Sequence, residues 1–346
     1  MTALAAVLAA TGAVPTAPTE AAAGTDPADD AVRRVVAISV DGLASVAIRR
    51  IGRAGTPALH RMVARGASTL NARTARESTS TLPNHTGMVT GRRVSAAAGG
   101  HGVDFNSDDG RTVHCAAGEY VASLFEVVHD RGGSTAMYAG KAKFAFLDRS
   151  WNATNGAPDR VGADHGRDKI DRYVHADDVA ALVTRLVRQL RRNPATFSFL
   201  HLRSPDSAGH RFGFLSRPYL RAVRRSDALV GRVLTAIGRT PGLRRHTTVV
   251  LTADHGGANS RSHSDPTVVG SYRVPFLVWG TAVARGRSLY TLNTDRRDPG
   301  NRRTTYRGRQ PVRNGELANL AADLLDLPAV PGSRLNARRS LDVQTR

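Results

Sequence analysis

An α/β fold, with a central mostly parallel sheet and helices on both faces, is predicted from three observations on this chain. Short β-branched, apolar runs alternate with amphipathic helical stretches. Carboxylates and imidazoles gather just beyond the ends of those runs. The chain is 346 residues long and 41% hydrophobic, enough for a packed core in one large or two ordinary domains.

The elements follow in order. Arg34 to Val40 reads as a buried first strand that stops at Asp41-Gly42. Thr56-Pro57 opens a helix through Met62-Val63, with proline at its tolerated first position. Ser78-Thr79-Ser80-Thr81-Leu82-Pro83 leads into a helix running through Met88-Val89, where the hydroxyls are natural N-caps. A helix over Tyr120 to Val128 precedes a second strand, Ser134 to Ala139. Asp177 to Arg191 carries Val179, Leu182, Leu186 and Leu190 at helical spacing. Thr196 to Leu202 is a third strand, and Pro218 to Ile237 a long helix striped by Val223, Val230, Val233 and Ile237. Thr247 to Leu251 is a buried strand, Val274 to Trp279 another, and Glu316 to Leu325 a final helix. The Arg- and Gly-rich stretch from Arg285 to Arg313 shows no period and reads as a long surface loop.

Composition bounds the function without choosing it. The formal charge is +20, from 49 basic and 29 acidic residues, and lysine occurs only at 141, 143 and 169. Scattered arginines of this kind fit a GC-rich codon bias better than a dedicated nucleic-acid surface, so no specific nucleic-acid partner is predicted. Cys115 is the only cysteine, which excludes an intrachain disulfide and a cysteine-based zinc site. Residues 1–30 contain an apolar run, Ala3 to Val14, then small residues, and read as a signal peptide or a disordered tail. Export, to the medium or the cell envelope, is the expectation, with a cytoplasmic enzyme the alternative. Residues 31–346 are then a single catalytic domain without a membrane-spanning stretch; oligomeric state is not readable.

In open α/β sheets, ligands bind beyond the carboxyl ends of the strands. Asp41 closes the first strand here, and Thr252-Ala253-Asp254-His255-Gly256-Gly257 closes the fourth. Asp206 and His210 follow the third at i, i+4 spacing, on one face of a helical turn, and His263 lies just past the fourth. Three carboxylates and three imidazoles make a mixed oxygen and nitrogen set suited to zinc and similar divalent metals. Each alone is more often a turn or cap residue; the weight lies in their joint placement. Thr81, at a helix N-terminus, adds a nucleophile where backbone N–H groups and the dipole favour a phosphoryl group.

These segments, together with Thr90-Gly91 and His101-Gly102, occur in the order seen in the alkaline phosphatase superfamily. The chain resembles its type I phosphodiesterase/nucleotide pyrophosphatase branch over roughly residues 34–335. The resemblance implies an alkaline phosphatase-like fold, two zinc ions, and hydrolysis of a small phosphate ester or nucleotide-like substrate through a phospho-threonine. Carried over, Asp41, Asp254 and His255 hold one metal with Thr81, while Asp206, His210 and His263 hold the other. Asn106 donates to the phosphoryl oxygen. The segment between Gly91 and His101 is longer than usual, which loosens the placement of Asn106. True alkaline phosphatases carry a Glu five positions before the Asp-to-His segment, where this chain has His201. That absence leans toward diesters or pyrophosphates. A phosphomonoesterase or a phosphonate hydrolase of the same superfamily is the alternative, and a non-enzymatic anion-binding protein a remote one. Cys115 lacks the Pro and Arg that sulfatases need after it. Asp164-His165-Gly166 repeats the Asp-His-Gly string without a strand before it, and His175, His201 and His246 lack partners at ligand spacing. All are read as structural, and Lys141 and Lys143 as solvated loop lysines.

Overall fold

The computed structural model describes residues 1–3, 31–159 and 166–344. Most of the expected leader, residues 4–30, and Asp164-His165 lie outside the described residues. Within them one sheet contains β1 (Arg34–Val40), β2 (Ala67–Arg73), β3 (Thr135–Ala139), β4 (Tyr173–His175), β5 (Phe197–Leu202), β6 (Thr247–Thr252), β7 (Arg273–Gly280) and β8 (Arg287–Ser288). Their order is β4-β3-β5-β1-β6-β7-β2-β8. Neighbours from β4 to β6 are parallel, β7 is antiparallel to β6 and β2, and β8 is parallel to β2. Strands β1, β5 and β6 are buried almost along their whole length, as a parallel sheet covered on both faces requires.

Two helical layers provide the cover. Ser45–Gly55, Pro57–Arg65 and Val179–Arg192 each pack against the long Arg217–Arg239 helix. Thr81–Thr90, Leu124–His129 and Leu317–Leu324 pack together as a second group. The Val179–Arg192 helix starts where the Asp178 carboxylate accepts from the amides of Ala180 and Ala181, and it buries Leu182, Val183, Leu186 and Leu190. Ser216 caps the long helix in the same way, on the amide of Tyr219. Covering both layers is what forces their apolar stripes.

Three features differ from the sequence reading. The helix expected over Tyr120 to Val128 runs from Leu124 to His129, because Ser123 caps it on the amide of Glu126. Strand β2, Ala-Ser-Thr-Leu-Asn-Ala-Arg, has little β-propensity and owes its form to pairing with β7. The Ser45–Gly55 segment is helical without a side-chain cap and is broken at Gly52. The Arg285 to Arg313 stretch is irregular apart from β8 and a Leu289–Leu292 turn of helix. Two buried arginines pin it: Arg73 donates to the carbonyls of Gly300 (2.7 Å) and Arg302 (3.2 Å), and Arg313 to Thr304 Oγ1 (2.9 Å).

Strands β3, β5, β1 and β6 are parallel neighbours, so their carboxyl ends open on one edge of the sheet. Register aligns Ser39 of β1 with His201 of β5 and Thr252 of β6. Asp41 and Asp254, each two residues on, therefore leave the sheet at the same height, beside the start of the Ser204–Phe212 helix that carries Asp206.

Candidate active site and metal centre

Asp41 and Asp254 follow β1 and β6, and Asp206 and His210 lie on the Ser204–Phe212 helix that follows β5. The chain turns at Asp41-Gly42 because Gly42 adopts φ +69°. The Gly42 amide donates to Asp254 Oδ1 at 3.0 Å, and its carbonyl accepts from the Tyr219 hydroxyl at 2.7 Å. A Cβ there would lie 2.9 Å from the Asp206 backbone. Gly42→Ala is therefore expected to displace both carboxylates, costing about 1–2 kcal/mol in the left-handed backbone alone and about 100-fold in kcat/KM. Thermal unfolding and steady-state kinetics of that variant check it.

Six of the seven predicted ligand residues, all but Thr81, form two groups, Asp41 with Asp254 and His255, and Asp206 with His210 and His263. In the first, His255 Nε2 lies 3.4 Å from Asp41 Oδ1 and 3.2 Å from Asp254 Oδ2. In the second, Asp206 Oδ1 lies 3.3 Å from His210 Nε2 and 3.6 Å from His263 Nε2, and the two imidazole nitrogens are 3.2 Å apart. Tetrahedral ligands about 2.0–2.1 Å from a zinc ion lie about 3.3 Å from one another. The His255 and His263 rings stack at 3.4 Å and form the wall shared by the groups. His263 thus joins the group opposite its sequence neighbour His255.

The hydrogen bonds fit the same occupant. His210 Nδ1 is 2.9 Å from the Arg261 carbonyl, His255 Nδ1 2.8 Å from that of Gly256, and His263 Nδ1 2.8 Å from that of Thr79. A carbonyl can only accept, so each Nδ1 carries a proton and each ring turns Nε2 inward; burial alone would lower the His255 imidazole, but the Asp254 charge and the Asp41 hydrogen bond push it up to about 9. Asp41 Oδ1, Asp206 Oδ1, Asp254 Oδ2 and His255 Nε2 are buried with no hydrogen-bond partner. Buried acceptors converging without donors are costly unless a cation satisfies them, so these residues fit a metal. Burial, and then the neighbouring Asp41 charge, push the Asp254 carboxyl up to about 8. Burial, and then His255 and His210, push His263 down to about 2, which keeps it neutral and ligand-ready.

Two residues read from the sequence as incidental belong to this site. His201 accepts the Gly140 amide on Nδ1 (3.1 Å), so its Nε2–H donates to Asp41 Oδ2 at 2.9 Å. Lys141 is no solvated loop lysine. Its ammonium bridges Asp41 Oδ2 (2.6 Å) and Asp206 Oδ2 (2.7 Å) and lies 3.5 Å from Thr81 Oγ1. Burial alone would raise the Asp41 carboxyl; the Lys141 charge and the His201 hydrogen bond instead hold it well below the usual range. Local spacing carried no sign of either contact, since β3 and β5 bring them in from other parts of the chain. A third acidic group, His129, Asp130 and Asp159, is answered by buried Lys169, 2.8 Å from both carboxylates.

Thr81 begins the Thr81–Thr90 helix, and all ten residues of that helix are buried. Ser80 occupies the N-cap position without a side-chain cap bond, so the capping expected of these hydroxyls is not what they do. The cap comes from afar: Asn106 Oδ1 accepts the Leu82 amide at 3.0 Å. That fixes the amide orientation and leaves Asn106 Nδ2 as a donor at the helix N-terminus. His85 ties the helix down through the Thr81 carbonyl (2.8 Å) and Ser39 Oγ (2.8 Å). Asn314, which the sequence did not single out, links Asn84 of this helix (3.1 Å) to the carbonyls of Ala253 (3.1 Å) and Asp254 (3.3 Å).

A mostly parallel sheet with paired metal-type groups and a threonine at its carboxyl edge fits an enzyme acting on phosphoric ester bonds. The family model for type I phosphodiesterase/nucleotide pyrophosphatase matches residues 35–272, and the chain belongs to that family. Among solved structures, mouse ectonucleotide pyrophosphatase/phosphodiesterase 5, an inactive threonine-to-alanine form with AMP, shares the fold with a TM-score of 0.59 and 13% identity. The alignment covers 86% of this chain and 96% of that one, and the human protein gives a TM-score of 0.58. GPI ethanolamine phosphate transferase 1 of Aspergillus fumigatus is 38% identical over 96 residues, and that of Gibberella zeae 37% over 95. Each match spans 28% of this chain and 9% of the transferase. Among the described residues no helix is long and apolar enough to cross a membrane.

Proposed function

We propose that the chain hydrolyses small phosphate esters of the phosphodiesterase and nucleotide pyrophosphatase type through a covalent phospho-threonine on Thr81. The observation that carries this reading is the set of four partnerless buried acceptors, Asp41 Oδ1, Asp206 Oδ1, Asp254 Oδ2 and His255 Nε2, beside the first turn of the Thr81 helix. Asp41, Asp254, His255 and Thr81 would hold one divalent metal, and Asp206, His210 and His263 the other, zinc by the donor set. Such ions lower the pKa of a coordinated hydroxyl and stabilise charge on attacking and leaving oxygens.

The chain's own residues do the rest. The Thr81 oxygen forms a bond to phosphorus as the bond to the leaving oxygen breaks. Asn106 Nδ2, oriented by its bond to Leu82, donates to a non-bridging oxygen. Water then displaces Thr81 from phosphorus, and the threonine hydroxyl is restored. His210, half exposed, stands on the solvent side of its group, where a leaving group departs. The reading is tested with bis-p-nitrophenyl phosphate: hydrolysis is expected, with loss on chelation and recovery with zinc. Hydrolysis indifferent to chelator would overturn the metal assignment.

A further inference from the structure

One buried ring packs beside all three imidazoles of the site. Phe214, 2% exposed, lies just past the Ser204–Phe212 helix. Its centroid is 6.0 Å from that of His210, 5.7 Å from His263 and 6.4 Å from His255, at interplanar angles of 75°, 81° and 69°. The His255 and His263 rings are stacked within 12° of parallel. A ring nearly perpendicular to both, and almost equally far from both, lies along their edges rather than on a face. Edge-to-face contacts of this kind are favoured between aromatic rings.

The chain is shaped to seat this ring. At Gly209 a Cβ would lie 2.6–2.8 Å from three Phe214 ring atoms, and at Gly257 it would come closer still. On either side of Phe214 the backbone takes positive φ, +90° at Gly213 and +65° at Leu215. A leucine rarely adopts that conformation, and such local strain persists where surrounding contacts impose it. The Phe214 amide donates to the Ser260 carbonyl at 2.8 Å, which fastens it to the loop that carries His263. Tyr219 packs on the ring at 5.4 Å, and its hydroxyl holds the turn after Asp41 through Gly42 and Ala44.

The two metal-type groups depend on the ring unequally. Asp41 and Asp254 emerge from the ends of β1 and β6, and His255 follows Asp254 directly, fully buried. His210 is half exposed, and its Nδ1 meets the Arg261 carbonyl on the loop that Phe214 fastens. His263 stands on that same loop. Two of the three members of the second group therefore come from a helix and a loop that meet at Phe214.

We propose that Phe214 is the positioning residue of the second metal group, holding His210 and His263 at the spacing a divalent ion needs. The strand ends set the first group without it. The inference rests on the two-metal reading above and deepens it: the sheet supports one ion, and a single side chain the other. An apolar ring can neither ligate nor donate, so it fixes the imidazoles without competing for their occupant.

The test measures zinc affinity by chelator competition on wild type, Phe214→Leu, Gly209→Ala and the double variant. Wild type is expected to bind two zinc ions, and His210→Ala identifies the step that belongs to the second group. Phe214→Leu is expected to weaken that step about 10–100-fold, the usual cost of losing a support behind a metal ligand, and to leave the other unchanged. With cobalt(II) as the probe, only the absorption band of that step is expected to shift. Gly209→Ala adds a good helix former yet drives its Cβ into the ring, so the same step is expected to weaken. The double variant is expected to lose no more than Phe214→Leu alone, since the atoms nearest that Cβ all belong to the ring. Equal weakening of both steps, no change in either, or additive losses in the double variant overturns the assignment and makes Phe214 ordinary core packing. Should Phe214→Leu not fold, Gly209→Ala decides by the same step-selective criterion. Wild type that binds fewer than two zinc ions refutes the parent reading itself, a result distinct from all of these.

Discussion

Thr81→Ala is expected to lower kcat on bis-p-nitrophenyl phosphate on the order of 10⁴-fold or more, the scale set by removing a covalent nucleophile. The reason is local. The Thr81 hydroxyl meets the long approach of Lys141, while the backbone carbonyl provides the bond to His85. Alanine keeps that carbonyl and the helix start, so unfolding temperature and metal content are expected to remain near wild type. Activity and structure then separate cleanly. A second readout is direct: rapid acid quenching during turnover is expected to leave phosphate on Thr81 in the wild type and none in the variant. Retained hydrolysis with metal bound would refute a threonine nucleophile.

Asp254→Asn is expected to move activity and stability in opposite directions. Asparagine retains an acceptor for the Gly42 amide, which now bonds to Oδ1, but removes the charge on the partnerless Oδ2. Metal affinity and kcat are expected to fall on the order of 10²–10³-fold, as for other losses of charge stabilisation. The chelator-treated protein should nevertheless unfold at higher temperature, gaining roughly 1–3 kcal/mol, the cost of a buried polar group without a partner. The pH dependence has a definite sign. The folded-state Asp254 carboxyl is raised to about 8 from its ordinary 3.8, by desolvation first and then by Asp41. Between those values the folded state holds a proton that the unfolded state has released, so metal-free wild type loses stability as pH rises toward about 8. The asparagine variant should lack that slope, and its advantage should be greatest above it. Melting curves with chelator across pH check both halves.

Much of the fold was legible because burial on both faces leaves a simple mark. β1, β5 and β6 are mostly apolar runs buried along nearly their whole length, and the Val179–Arg192 and Arg217–Arg239 helices carry clear stripes. β2 was not legible, since its seven residues are a strand only beside β7. The Thr81 helix was found by its hydroxyls and proline, yet for the wrong cap: Asn106 does what Ser80 was expected to do. His201 and Lys141 had no local signature, because a partner 160 residues away leaves nothing to read at short spacing. The scarcity of lysine was the one available clue to Lys141, and it gains force only beside the two carboxylates it bridges.

By itself the sequence determined which chemistry was present: three carboxylates, three imidazoles and a helix-starting threonine, each following an apolar strand or helix entry that dictated where it would emerge. Residue type and periodicity are local properties, and side-chain burial imposes them directly. Only the tertiary structure decided which atom faces which. It divided Asp41 and Asp206 into an inward Oδ1 and an Oδ2 on Lys141, set each imidazole by a backbone carbonyl, and stacked His255 against His263 across the two groups. Those choices depend on strand order and register in a parallel sheet, which bring residues together across most of the chain, and no spacing along the sequence encodes them.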